Sequence, residues 1–212
     1  EKFLKNKLKL TINEEKSGIR KPTNFNLLGF GFVPVYNKGS KNQYQLVVAE
    51  KAWKNLKMRL KSITRKTTPA KLEERITKIK EIQRGWLNYF RGTNIMGKVR
   101  DIDGWLRNRL RYCIWHDWKK PDRKRKNLIR LGVNPDDAYA WSRTRKGGWA
   151  VSQSPILNTT ITKSRLKKRG YYSLLEIYTL LNPSVYEPSA AADGVRGTLR
   201  SNLGGAIYSV SR

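Results

Sequence analysis

The sequence predicts a mainly α-helical protein with β-hairpins at its N-terminus. Three observations carry that expectation: apolar residues alternate with polar ones before position 48, the periodicity turns helical from Ala49, and three long amphipathic stretches follow with short connections. In the first segment Leu8, Leu10 and Ile12 alternate, "NEEKSG" supplies a turn, and "LLGFGFVPVY" and "QYQLVV" flank the loop "NKGSKN", which reads as two hairpins over residues 7–48. Pro34 has no N–H to donate to a ladder and puts its strand at an edge or a bulge.

From Ala49, Trp53, Leu56, Leu60 and Ile63 fall within roughly 80° of one another at about 100° per residue, with Lys54, Lys57, Lys61 and Arg65 on an adjacent stripe. A second helix follows "TTP", with Thr68 as N-cap and Pro69 at the first helical position, and runs to about Arg91. Its apolar arc holds Leu72, Ile76, Ile79, Ile82, Trp86, Leu87, Tyr89 and Phe90, and Gly92 can stop it. The third helix, about Val99 to Lys119, buries Ile102, Trp105, Leu106, Leu110, Cys113 and Ile114, and turns Arg107, Arg111, Trp115 and Trp118 to the far side. Short helices are expected around 123–131, 135–143 and 173–181, with "KGGWAVSQSP" as a loop. The segments are therefore 1–48, 49–118, 119–181 and a weakly ordered tail over 182–212, rich in Ser, Ala and Gly.

Charge decides the class of partner. The 212 residues carry 45 Lys and Arg against 16 Asp and Glu, a formal net charge of +29, more than solubility requires and matched to a polyanion. A hydrophobic fraction of 38% with 7 Trp, 10 Tyr and 5 Phe still provides for a core, which excludes a disordered basic tail. The single cysteine, Cys113, excludes an internal disulfide and any zinc site built on paired cysteines, and predicts a reducing, cytoplasmic setting. No stretch has the length and apolarity of a membrane span, and "EKFLKNKLKL" lacks the apolar segment of a secretory signal. The absence of an initial Met and the abrupt start in a strand-like pattern suggest the C-terminal piece of a longer protein.

Catalytic chemistry finds little support. His116 and Asp117 are neighbours on a helix, about 100° apart, and do not orient each other, so His116 reads as a structural or surface residue. Asp101 and Asp103 likewise lie on different faces, and charge near a helix N-terminus accounts for both. No catalytic residue and no metal ligand is assigned.

Binding finds more. Residues 119–169 contain 15 Lys or Arg against three Asp, a net of +12. A charge run is ordinarily a solvated face, but "KKPDRKRKNLIRLG", "WSRTRKGGW" and "TKSRLKKRG" repeat the excess and favour phosphate contact. The candidates there are Lys119, Lys120, Arg123, Lys124, Arg125, Lys126, Arg130, Arg143, Arg145, Lys146, Lys163, Arg165, Lys167, Lys168 and Arg169. Lys54, Lys61, Arg65, Arg84, Arg91, Arg107 and Arg111 join them from the three long helices. Aromatic residues among arginines suit RNA better than duplex DNA, because splayed bases stack on rings and guanidinium planes. Trp53, Trp86, Tyr89, Phe90 and Trp105 lie on apolar arcs and read as packing residues. Trp115 and Trp118 keep two readings: they stack on RNA, or they receive the chain after residue 130.

These motifs resemble the C-terminal part of a bacterial group II intron-encoded reverse transcriptase/maturase. "LKLTINEEKSGI" with "FNLLGFGF" is similar to the last palm segment, and "RGWLNYFR", "DIDGWLRNRLRYCIWHDWKKPDRKRKNLIRLG" and "KGGWAVSQSP" occur in the order of the maturase-specific stretch, covering about residues 1–181. The resemblance implies that 49–118 form the thumb, or domain X, a three-helix bundle that binds intron RNA and helps template–primer duplex sit against upstream fingers and palm. The family's tyrosine-alanine-aspartate-aspartate box is absent from these residues, so this chain alone is expected not to polymerise, and Mg²⁺ would belong to that missing site and to the RNA. One cysteine is too few for the zinc-dependent endonuclease of some relatives. The resemblance thus implies an RNA-binding splicing cofactor with no cofactor of its own. The other readings are a thumb that only holds template–primer, and a basic RNA-binding protein unrelated to introns.

Overall fold

A computed structural model describes residues 2–11, 13, 18–36 and 43–182. Ile12, most of the first expected turn, the loop 37–42 and residues 183–212 lie outside the described residues. The elements are helix α1 (Lys2–Lys7), a 3₁₀ turn (Pro22–Asn24), strands β1 (Phe30–Pro34) and β2 (Tyr44–Val48), then α2 (Glu50–Ile63), α3 (Leu72–Phe90), α4 (Met96–Asp117), α5 (Pro121–Arg130), α6 (Pro135–Ser142), α7 (Gly148–Gln153), α8 (Pro155–Thr160), α9 (Lys163–Lys168) and α10 (Leu174–Leu181).

One hairpin forms among the described residues, not two. β1 and β2 pair antiparallel, from Phe30 opposite Val48 to Pro34 opposite Tyr44, and Pro34 sits at the strand end where its missing N–H does no harm. Leu8 and Leu10 are exposed and follow helix α1 instead of forming a strand. Alternation makes a strand only where a neighbouring strand supplies hydrogen bonds and an apolar layer, and no described strand pairs with them.

The hairpin is welded to α3 by the aromatic block that closes that helix. Phe30 stacks on Tyr89 at 5.4 Å and meets Phe90 edge-on at 5.0 Å, while the Tyr89 hydroxyl donates to the Leu28 carbonyl at 2.9 Å. Gly29 allows this approach: its φ is +83°, and a Cβ there would come within 3.2 Å of the Phe90 ring. Tyr89 is nevertheless 53% exposed, so it covers the hairpin instead of filling the core its arc position suggested.

α2, α3 and α4 bury the expected stripes: Trp53, Leu56 and Leu60 from α2, Leu72, Ile76, Ile79, Leu87 and Phe90 from α3, Val99, Ile102, Leu106, Leu110 and Cys113 from α4. Trp86, half-buried, packs at 4.6 Å from both Trp53 and Phe90. α3 begins at Leu72 behind Lys71, not at Pro69 behind Thr68. The reason is Arg75, 2% exposed, whose guanidinium gathers the α2–α3 loop around itself. Nη1 donates to the carbonyls of Ile63 at 2.6 Å and Arg65 at 3.0 Å, Nη2 to Thr68 at 2.5 Å, and Nε to Ala70 at 3.2 Å. With its carbonyl aimed at Arg75, Thr68 is held in the loop and cannot cap the helix.

The far side of α4 is covered. α7 and α10 pack against it, and one continuous core runs from Trp53 through Trp115 to Tyr178. "KGGWAVSQSP", expected as a loop, is α7 and the start of α8. Gly148 opens α7 against α4, where a Cβ would sit 3.2 Å from the Tyr112 ring and 3.4 Å from Trp115. Buried Val151 and Leu157 then hold two six-residue helices that lack the length to show periodicity. Lys119, with φ +50°, turns the chain out of α4 toward α5.

Removing Arg75 strips a charged donor from four carbonyls and leaves a void, so Arg75→Ala is expected to cost about 3–5 kcal/mol. Trp86→Ala is expected to cost about 3 kcal/mol, the low end for a large aromatic because the ring is only half-buried. Thermal melts check both, and an unchanged melting temperature for Arg75→Ala would contradict the clamp.

Candidate nucleic-acid interface

The predicted cations separate into those the fold uses and those it leaves in solvent. Arg111 is 8% exposed, donates to the Ile161 carbonyl at 3.0 Å and to Asn108 at 2.8 Å, and is therefore a packing residue and not a phosphate contact. Trp115 is 4% exposed, packed on Trp118 at 5.8 Å with the Lys124 ammonium 4.4 Å above it, so stacking on RNA is corrected to burial under the chain that follows. Burial lowers the pKa of Lys124 in that position. Arg125 and Arg143 lie over Tyr139 at 5.5 and 3.9 Å, and Arg143 also reaches Asp122 at 3.5 Å. Lys163 and Lys167 share Glu176 at 3.2 and 3.4 Å, Arg169 meets Glu73 at 3.7 Å, and Arg165 donates to the Thr160 carbonyl at 2.5 Å. Half-buried Trp118 faces a small cavity of about 70 Å³ whose wall includes Arg130, Arg165 and Arg169.

Lys119, Lys120, Arg123, Lys126, Arg130, Arg145, Lys146 and Lys168 are exposed, with no ion pair among the described residues. So are Lys54, Lys61, Arg65, Arg84 and Arg91, while Arg107 is half-buried. Pro121 starts α5 and puts Lys119 and Lys120 ahead of its first turn, with Arg123 and Lys126 on the helix itself. A second surface forms where α2 faces α4 and α7. There Lys54, Lys57 and Lys61 line one wall, and Trp105, Arg109 and Trp149 the other, of a trough of about 520 Å³.

The stretch from the first turn of α2 to just past the end of α5 is also the stretch that is recognisable in comparison. Residues 53–132 match the family model described as the group II intron maturase-specific domain. Among curated proteins, none matches the chain. Within the matched span α2, α3 and α4 supply the bundle and α5 carries exposed Arg123, Lys126 and Arg130, while α7 and α10, outside that span, pack on α4, and α7 contributes Trp149. Among the described residues no helix is long and apolar enough to cross a membrane, and no three His, Cys, Asp or Glu gather as metal ligands would.

Sequence reasoning missed Arg109. Its Nε donates to Thr64 Oγ1 at 3.1 Å and its Nη2 to the Thr64 carbonyl, and its guanidinium carbon lies 5.6 Å from the ring centres of both Tyr112 and Trp149. The available signal was its i, i+4 spacing from Trp105 on the side of α4 that meets the α2 lysine stripe. Asp103 was misassigned as well. It is 3% exposed and well inside α4, and its two oxygens accept the N–H groups of Leu174 at 2.8 Å and Leu175 at 3.0 Å, so it caps α10 and not its own helix. Burial raises its pKa against the opposing effect of those two bonds. His116 and Asp117 are exposed.

Glu176 closes the capping box of α10 with Ser173. Burial alone would raise its pKa, but the Ser173 N–H, Lys163 and Lys167 outweigh it and hold the carboxyl at about 2 instead of 4.5. A folded pKa below the unfolded one gives stability that is present above about pH 4.5 and lost as pH falls toward 2. Glu176→Gln is therefore expected to melt earlier than the parent at pH 7, with the gap closing between pH 4.5 and 2 in melts followed by circular dichroism. A gap independent of pH would contradict the assignment.

Proposed function

We propose that this chain binds the RNA of a group II intron and assists its folding and splicing, the bond-making chemistry remaining with the RNA and its Mg²⁺. The observation that carries the reading is the overlap of the maturase-specific match with the exposed cations: Lys54, Lys57, Lys61, Lys119, Lys120, Arg123, Lys126 and Arg130 all fall within residues 53–132. A large RNA compacts only when its phosphates are neutralised, and a folded bundle presents lysines and arginines from a backbone that is already ordered. Of these cations Lys57 rests on an aromatic ring, 5.2 Å from the centre of Trp105.

The polymerase context rests on the resemblance of "FNLLGFGF" to the end of a palm, and on the docking of that hairpin onto the aromatic end of α3. In that reading the parent protein is an RNA-directed DNA polymerase of the bacterial cytoplasm, with fingers and palm upstream, and this bundle also holds template–primer.

Splicing of a group II intron precursor at low Mg²⁺, with and without the chain, is the direct experiment. Acceleration by the chain supports the reading, and tight RNA binding without acceleration favours the template–primer role. On flexible single strands, log affinity should fall with log salt at a slope of roughly −4 to −7, at about 0.7 per phosphate contact. Replacing Lys119, Lys120, Arg123 and Lys126 together by Gln should flatten that slope by roughly 2–3 and weaken all RNAs alike. An unchanged slope would move phosphate binding away from α5.

A further inference from the structure

The geometry points to the trough between α2, α4 and α7 as a subsite for an unpaired nucleobase of single-stranded RNA, with the phosphates of the same strand on the α2 lysines. This rests on the RNA-binding reading above and names what one part of the surface takes. Lys54, Lys57 and Lys61 stand on successive turns and span about 10 Å of helix. Among the described residues none of them has an ion pair, and no carboxylate lines the trough, so the wall is complementary to a chain of phosphates.

The opposite wall is aromatic and held in place. Arg109 is tied to Thr64 and its guanidinium carbon lies 5.6 Å from the ring centres of both Tyr112 and Trp149, and Trp149 meets Tyr112 edge-on at 78° with centroids 6.1 Å apart. Neither side chain has much freedom left to lose when a base stacks on it. Trp149 nonetheless remains 37% exposed and lines the cation-rich groove. Lys57 rests over the Trp105 ring at 5.2 Å without a carboxylate to hold it. Moving its ammonium from the ring to a phosphate would open Trp105 to the same base. A duplex keeps its bases stacked inside and would reach only the lysines, so the aromatic wall selects an unpaired segment.

Fluorescence anisotropy with the full chain tests this on three probes: a 12-nucleotide oligouridylate, the same strand with abasic positions at its centre, and an RNA duplex of equal length. Trp149→Ala and the bulkier Trp149→Leu should each weaken oligouridylate binding about 5- to 100-fold, the range of one lost base–aromatic stack, and leave the other two probes unchanged. Trp149→Phe should restore most of the loss. Lys57→Gln should weaken all three and lower the salt slope by about 0.7. Equal losses on every probe, or none on oligouridylate, would overturn the base site. A wild-type chain that binds structured intron RNA but not oligouridylate would overturn it too while leaving the RNA-binding reading intact, and binding to neither would defeat both.

Discussion

Two arginines meet the carbonyls left over at the C-terminus of α2, and the arrangement of the bundle depends on them. A helix ends with unpaired carbonyls and a partial negative charge. Arg75 from α3 takes Ile63 and Arg65, and Arg109 from α4 takes Thr64, whose carbonyl also lies 3.4 Å from the Cys113 thiol. Three helices are thus fixed to one chain end through charge-assisted hydrogen bonds, which are stronger and more directional than apolar contact alone. The same bonds set the α2 lysine stripe opposite Trp105 and Arg109, so the candidate interface is a consequence of how the bundle closes.

A chain with net charge +29 has to place its cations without repelling the folded state apart. Some are absorbed by backbone carbonyls, as at Arg75, Arg111 and Arg165, and others by aromatic faces, as with Lys124 on Trp115 and Arg143 on Tyr139. Glu176 neutralises part of α9. Among those that remain unpaired, Lys54, Lys57 and Lys61 on α2 and Lys119, Lys120, Arg123 and Lys126 around the start of α5 lie inside the maturase-specific match. The density of a charge run therefore overstates its binding surface, and Lys124 and Arg125 show by how much within one helix.

The long helices were legible because each repeats its apolar residues over many turns, and one hairpin was legible because Phe30–Pro34 and Tyr44–Val48 pair with each other. The covering layer was not. Helices α7 to α9 have six residues each, too few for a period, and Gly147 and Gly148 read as loop although Gly148 is there for close approach to Tyr112. A helical wheel gives the direction of Arg111 and Trp115 but not what later folds over them. Two tryptophans three residues apart on a supposedly exposed face were the signal that something would. Asp103, likewise, serves a helix 71 residues away, a pairing no local pattern contains.

Lysine acetylation of the chain, free and bound to intron RNA, reads the central claim residue by residue. The RNA should protect Lys54, Lys57, Lys61, Lys119, Lys120 and Lys126, the cations the fold leaves unpaired, and change Lys163 and Lys167 least, since both already face Glu176. Protection centred on Lys163 and Lys167, with the α2 and α5 lysines still reactive, would contradict it.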